Sequence, residues 1–97
     1  MNALSFHPLV QADIQAAYDW YEQQRPGLGG EFLVDVEQVL SAISTNPAGY
    51  GFAEGDIRAG LARRFPYIIY YRDLGHRIRV LAIYHAARDQ AVWQSRE

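Results

Sequence analysis

The sharpest polar grouping in the sequence is Tyr84-His85-Ala86-Ala87-Arg88-Asp89, where a histidine ends a strand-like segment and an arginine follows three residues later. An imidazole placed there, close to arginines, has the chemistry of an acid–base group in RNA cleavage. A base alone is not a catalytic constellation. The stronger reading is local: Arg88 and Asp89 hydrogen-bond nearby and tie down the chain end. Gly27-Leu28-Gly29-Gly30 is glycine-rich and opens a helix, as phosphate-binding loops do. It follows a helix instead of a strand, however, and the sequence has no lysine to meet a phosphate, so it reads as a structural corner. His7, His76 and His85 are far apart and none belongs to a helical i, i+4 pair, so no metal site is expected. The absence of cysteine excludes disulfides and thiolate ligands. Ser5, Ser41, Ser44 and Ser95 lack the context of a nucleophile elbow. No cofactor is expected.

The charge pattern points to binding. A net charge of -2 hides an asymmetry. The first half carries Asp13, Asp19, Glu22, Glu31, Asp35 and Glu37 against Arg25 alone, whereas every other arginine lies beyond residue 50. Arginine meets carboxylates and phosphates in a fixed fork and stacks on aromatic rings. The C-terminal half is therefore the expected contact half. The plainer alternative is that these arginines solvate the open face of a sheet.

The elements that must position these groups follow from periodicity. Residues 3–7 alternate apolar with polar and read as a strand. Pro8 suits a first helical turn. Ile14, Ala17, Tyr18 and Tyr21 then recur on one helix face, widened by Leu9, Ala16 and Trp20. Arg25-Pro26-Gly27 ends that helix. A second helix is expected over 29–45, with Phe32, Val36, Val39, Leu40 and Ile43 as its buried stripe and Asn46-Pro47 as its stop. The short link implies an antiparallel helical hairpin. After an irregular stretch over 49–55, strands are expected over 57–65, 67–72 and 77–85, with a turn at 73–76. In the last strand, strict alternation places Ile78, Val80, Ala82 and Tyr84 on one face and Arg77, Arg79, Leu81, Ile83 and His85 on the other. A final helical turn is expected within 89–96. The order is β-α-α-β-β-β, an α+β fold with one helical hairpin on one face of a mostly antiparallel sheet. Residues 1–97 make one domain's worth of chain, with two Trp, seven Tyr and four Phe to pack it. There is no membrane-length apolar run and no secretory signal pattern, so a cytoplasmic location is expected.

Phe6-His7-Pro8, Asp13-Ile14 and Ala17-Tyr18-Asp19-Trp20-Tyr21-Glu22 resemble the first strand and helix of ParE-like toxins of the RelE/ParE superfamily. The resemblance continues through Arg25-Pro26-Gly27-Leu28-Gly29, Phe32 and Asn46-Pro47. It then runs through Arg64-Phe65-Pro66-Tyr67-Ile68-Ile69-Tyr70-Tyr71, Ile78-Arg79-Val80-Leu81-Ala82-Ile83, His85 and Arg88-Asp89, and so covers nearly the whole chain in order. It implies the toxin of a type II toxin–antitoxin (plasmid stabilisation) system, held inactive by an antitoxin whose disordered segment folds across it.

The resemblance implies two activities. The ParE branch inhibits DNA gyrase by binding it and is not an enzyme. The RelE branch cuts messenger RNA on the ribosome with a set of arginines, lysines and a tyrosine. Here that set falls on Ile68, Ala86 and Trp93, and the lysines are absent. A related set of Glu, Arg and His is matched by Glu54, Arg64 and His85, which keeps an endoribonuclease as the runner-up. A non-toxic antitoxin-binding module is the third reading. Tyr18, Trp20 and Tyr21 cannot all be buried under one small sheet, so some are expected to meet the antitoxin together with Arg58, Arg64, Arg72 and Arg79. His85, Arg88 and Trp93 are the expected target-facing residues. This chain is mildly acidic where most such toxins are basic, so direct nucleic-acid binding by the toxin alone is not expected.

Overall fold

The computed structural model describes residues 2–88 and 94–96. The elements run β1 (Ala3–Phe6), α1 (Val10–Gln24), α2 (Leu28–Thr45), a 3-10 turn (Pro47–Gly49), β2 (Phe52–Glu54), β3 (Ile57–Leu61), β4 (Tyr67–Asp73) and β5 (Arg77–His85). The sheet order is β1-β5-β4-β3-β2. All pairings are antiparallel except β1 with β5. This is the expected order with one addition, the short edge strand β2, inside the stretch read as irregular.

The helices form where the sequence places them. Before α1, the His7 imidazole Nδ1 accepts the Leu9 N–H at 3.1 Å and the His7 carbonyl accepts Val10 N–H at 3.0 Å, so this residue closes the turn that opens the helix. On α2, Phe32, Val36, Val39 and Ile43 are all buried, as the 3.6-residue period requires. The corner between the helices is built by glycine and by Glu22. Gly27 has φ +90°, a left-handed conformation that side chains disfavour. The Glu22 carboxylate accepts the N–H groups of Gly27 (3.2 Å) and Gly29 (2.8 Å). These are orphan donors at the start of α2, and the helix dipole favours an acid there. The glycine-rich corner thus does bind an anion, and the anion is the chain's own carboxylate.

Two expectations about the strands are corrected. The strand expected over 57–65 ends at Leu61, because residues 63–65 turn their N–H groups to Asp35 on α2 instead of to a neighbouring strand. The strict alternation expected along β5 also fails. Tyr70 lies opposite Ala82 and Tyr71 opposite Val80, so Leu81 is the extra residue of a β-bulge. Beyond it the faces exchange. Ile83 joins Ile78 and Val80 under the helices, while Leu81, Ala82 and Tyr84 lie on the other face.

That second face is not an open arginine surface at its centre. Ile57, Tyr70, Leu81, Ala82 and Tyr84 form a second buried cluster, with Tyr70, Leu81, Ala82 and Tyr84 at 1% exposure or less. Among the described residues, the guanidinium of Arg88 lies 3.9 Å over the Tyr84 ring and that of Arg96 lies 5.0 Å over it. The helical turn expected within 89–96 falls mostly on residues outside the described ones.

Candidate functional site

The nuclease set is not assembled. His85 ends β5 and is exposed; its Nδ1 accepts the Ala87 N–H at 3.0 Å, and its ring packs edge-on against Tyr67 at 5.4 Å. Glu54 ends β2 at the far side of the sheet and accepts a hydrogen bond from Gln94. Strands β3 and β4 lie between them, which separates the two backbones by about 14 Å at ordinary strand spacing. Arg64 lies in the β3–β4 loop, where it pairs with Glu31 at 2.8 Å and stacks 5.4 Å over Phe65. Each of the three groups is thus engaged with a different neighbour. Among the described residues no group of three or more His, Cys, Asp or Glu could hold a metal ion. No helix among them is long and apolar enough to cross a membrane.

The aromatic residues of α1 split. Tyr21 turns inward, with its ring 4.7 Å from Phe65, 5.5 Å from Phe32 and 6.1 Å from Tyr67. Burial pushes its phenol pKa up, and pushes that of Tyr67 up as well. Tyr18 is half-buried, its ring against Gly29 at the helix crossing. Trp20 points outward at 59% exposure, and Leu9, the residue just before the helix, is also half exposed. Of the three, only Trp20 is exposed.

The four arginines expected to meet the antitoxin do not share one surface. Arg58 donates to the Tyr50 carbonyl and covers the Phe52 ring at 4.0 Å. It is opposite Tyr71 in the ladder and so lies on the helix side. Arg72 and Arg79 are direct cross-strand neighbours on the other face, and their side chains take partners in opposite directions: Arg72 pairs with Asp56 at 3.1 Å, and Arg79 donates to the Phe6 carbonyl at 2.9 Å. Like charges placed opposite one another repel. Arg64 is at a third location, beside Glu31. Of the expected target-facing residues, His85 is the last residue of β5, Arg88 follows just beyond it with its N–H donating to the His85 carbonyl at 2.9 Å, and Trp93 lies outside the described residues.

Sequence reasoning missed three carboxylates. Asp35 is 2% exposed and accepts the backbone N–H groups of Arg63 (3.0 Å), Arg64 (2.9 Å) and Phe65 (3.0 Å). Burial alone would raise its pKa, but those three hydrogen bonds, aided by the Arg64 charge, outweigh burial and hold it below the usual value. An acid set on the Phe32-Val36-Val39 stripe was the available signal. Glu22 caps α2, as described above. Asp13 pairs with Arg96 and also accepts the Ile83 N–H at 3.2 Å.

A sequence model of a protein family, described as the ParE toxin of the type II toxin–antitoxin system parDE, matches residues 4–90. Among solved structures, the chromosomal ParDE system from P. aeruginosa contains a chain of the same fold, with a TM-score of 0.77 at 22% identity over 88% of this chain and 96% of that one. No curated protein sequence gives a significant match.

Proposed function

The chain belongs to the ParE toxin family of type II toxin–antitoxin systems, and from that premise we propose that it inhibits DNA gyrase by binding to it. As a ParE toxin it acts through protein–protein contact and is neutralised by a cognate antitoxin. The observation that carries the reading is the family match over residues 4–90, nearly the whole chain. The separation of Glu54 from His85 favours binding over the endonuclease alternative. Trp20 and the exposed arginines are the proposed antitoxin contacts, and His85, Arg88 and Trp93 the proposed target contacts. In a gyrase supercoiling assay the purified toxin lowers supercoiling or accumulates cleaved DNA, and prior addition of antitoxin abolishes the effect. Unchanged supercoiling without cleaved DNA would sink the gyrase assignment.

A further inference from the structure

His85 closes the turn that follows β5 with its own side chain. Its Nδ1 accepts the Ala87 N–H at 3.0 Å, and its carbonyl accepts the Arg88 N–H at 2.9 Å. The Ala86 N–H, between them, donates to the Pro66 carbonyl at 2.8 Å. All three backbone donors after the strand are thus fixed, and the imidazole is held with them. Its ring also packs edge-on against Tyr67, its cross-strand neighbour, at 5.4 Å.

These bonds decide which nitrogen carries the proton. A neutral imidazole has one acceptor nitrogen and one donor. Nδ1 accepts here, so the hydrogen lies on Nε2. Nε2 makes no hydrogen bond or ion pair among the described residues, and the side chain is exposed. The turn does not require that second nitrogen. An asparagine side-chain oxygen accepts from the N–H two residues on in the same way. What the imidazole adds to the turn is an N–H donor held in place on an exposed side chain.

We infer that His85 recognises the target protein by donating its Nε2 hydrogen to a carbonyl or carboxylate oxygen there. A protein oxygen fits better than a nucleic-acid phosphate. Phosphates are met most strongly by charged, forked donors. The nearest such group in the sequence, the Arg88 guanidinium, is instead placed 3.9 Å over the Tyr84 ring. Tyr84 belongs to the cluster on the face away from the helices, whereas Tyr67, opposite His85, packs on the helix side. A donor already fixed by its own turn also loses little freedom when it binds. This role rests on the proposed reading of His85 as a target contact, and it does not require the target to be gyrase.

The first test reads the histidine tautomers of the full chain by heteronuclear NMR in mildly alkaline solution. The expected result is a His85 ring with its hydrogen on Nε2. The second compares wild type with His85→Asn, which keeps an acceptor for the Ala87 N–H and removes the outward donor. The variant should keep native amide shifts at 86–88 and native antitoxin binding. It should need about tenfold more toxin for half-inhibition of supercoiling, the loss of one hydrogen bond, and should lose potency in growth arrest to match. A wild type that arrests growth without touching gyrase would fail the gyrase assignment alone, and the growth comparison then decides the role of His85. Any of four results would overturn that role: a hydrogen on Nδ1; unchanged potency in growth arrest for a variant with a native turn; no growth arrest by the wild type; or His85 ring shifts on adding a single-stranded oligonucleotide.

Discussion

Asp13, in the first turn of α1, and Arg96, at the other end of the chain, form a two-point ion pair, with contacts of 2.7 and 3.2 Å and side chains 6% and 9% exposed. The pair closes a gap in the sheet. Strand β1 ends at Phe6, opposite Val80, so among the described residues the backbone groups of β5 beyond that point have no strand on that side. Asp13 accepts the Ile83 N–H, while Arg96 donates to the Leu81 carbonyl and to the Tyr84 hydroxyl. An ion pair thus does the work of a missing strand at the bulge.

Removing either partner is expected to cost stability. Breaking a buried pair leaves a charge without compensation, up to about 3–5 kcal/mol in a rigid site. Asp13→Ala leaves the Arg96 guanidinium with the Leu81 carbonyl and the Tyr84 hydroxyl and orphans the Ile83 N–H. Arg96→Ala leaves Asp13 buried and still bonded to that N–H. Both variants should lose about 1–3 kcal/mol in thermal or urea unfolding, and the double variant should lose clearly less than the sum. Full additivity would mean that the two residues act separately.

Asp35 should dominate the acid limb of the stability curve. Its pKa is lowered in the folded chain, so its contribution is fully present above the unfolded carboxyl value of about 3.9 and is lost as pH falls below that toward the folded value. Asp35→Ala strands three N–H groups and should cost about 2–4 kcal/mol at neutral pH. Asp35→Asn keeps one acceptor oxygen and should cost less. Both variants should show a shallower loss of stability than the wild type as pH drops below about 4. An acid limb as steep as the wild type's would place the titration elsewhere.

How much of this was legible depends on the range of the interaction. The α2 stripe could be read because Phe32, Val36, Val39 and Ile43 obey a local period. The Leu81 bulge could not, because a bulge is defined by two strands, and Arg77–His85 alone alternates acceptably in either frame. The arginines could be counted but not placed: Arg72 and Arg79 are adjacent in register yet turn to Asp56 and Phe6, partners that only the sheet order brings near. The Asp13–Arg96 pair spans almost the entire chain and left no local trace. Asp35 did leave one, an acid on an apolar face, and such a residue predicts a buried set of donors even when the donors cannot be named.

The helix crossing gives a paired test on neighbouring glycines. A Cβ on Gly29 would lie 2.7 Å from Tyr18 Cδ2 and 2.8 Å from the Tyr18 carbonyl oxygen, and the backbone atom cannot yield cheaply. Gly29→Ala should therefore destabilise by about 1–3 kcal/mol. A Cβ on Gly30 would meet nothing within 4 Å, and alanine is the better helix former, so Gly30→Ala should be neutral or stabilise by up to about 1 kcal/mol. Equal melting shifts for the two variants would show that helix propensity, not the crossing, controls this corner.

Trp20 and Tyr21 are neighbours with opposite surroundings, and they separate folding from recognition. Tyr21 contacts Phe32, Phe65 and Tyr67, so Tyr21→Ala opens a cavity and should cost about 2–4 kcal/mol of stability. Trp20 is 59% exposed, so Trp20→Ala should change stability by less than about 0.5 kcal/mol. If Trp20 anchors the antitoxin, its loss should weaken the complex by about 2 kcal/mol, or roughly thirtyfold in Kd. The deficit should appear mainly as faster dissociation, because an apolar anchor acts after encounter. Calorimetric unfolding and surface-binding kinetics on the same two variants provide the check. A Trp20→Ala toxin that unfolds normally and still holds its antitoxin at wild-type affinity would remove the outer face of α1 from the interface.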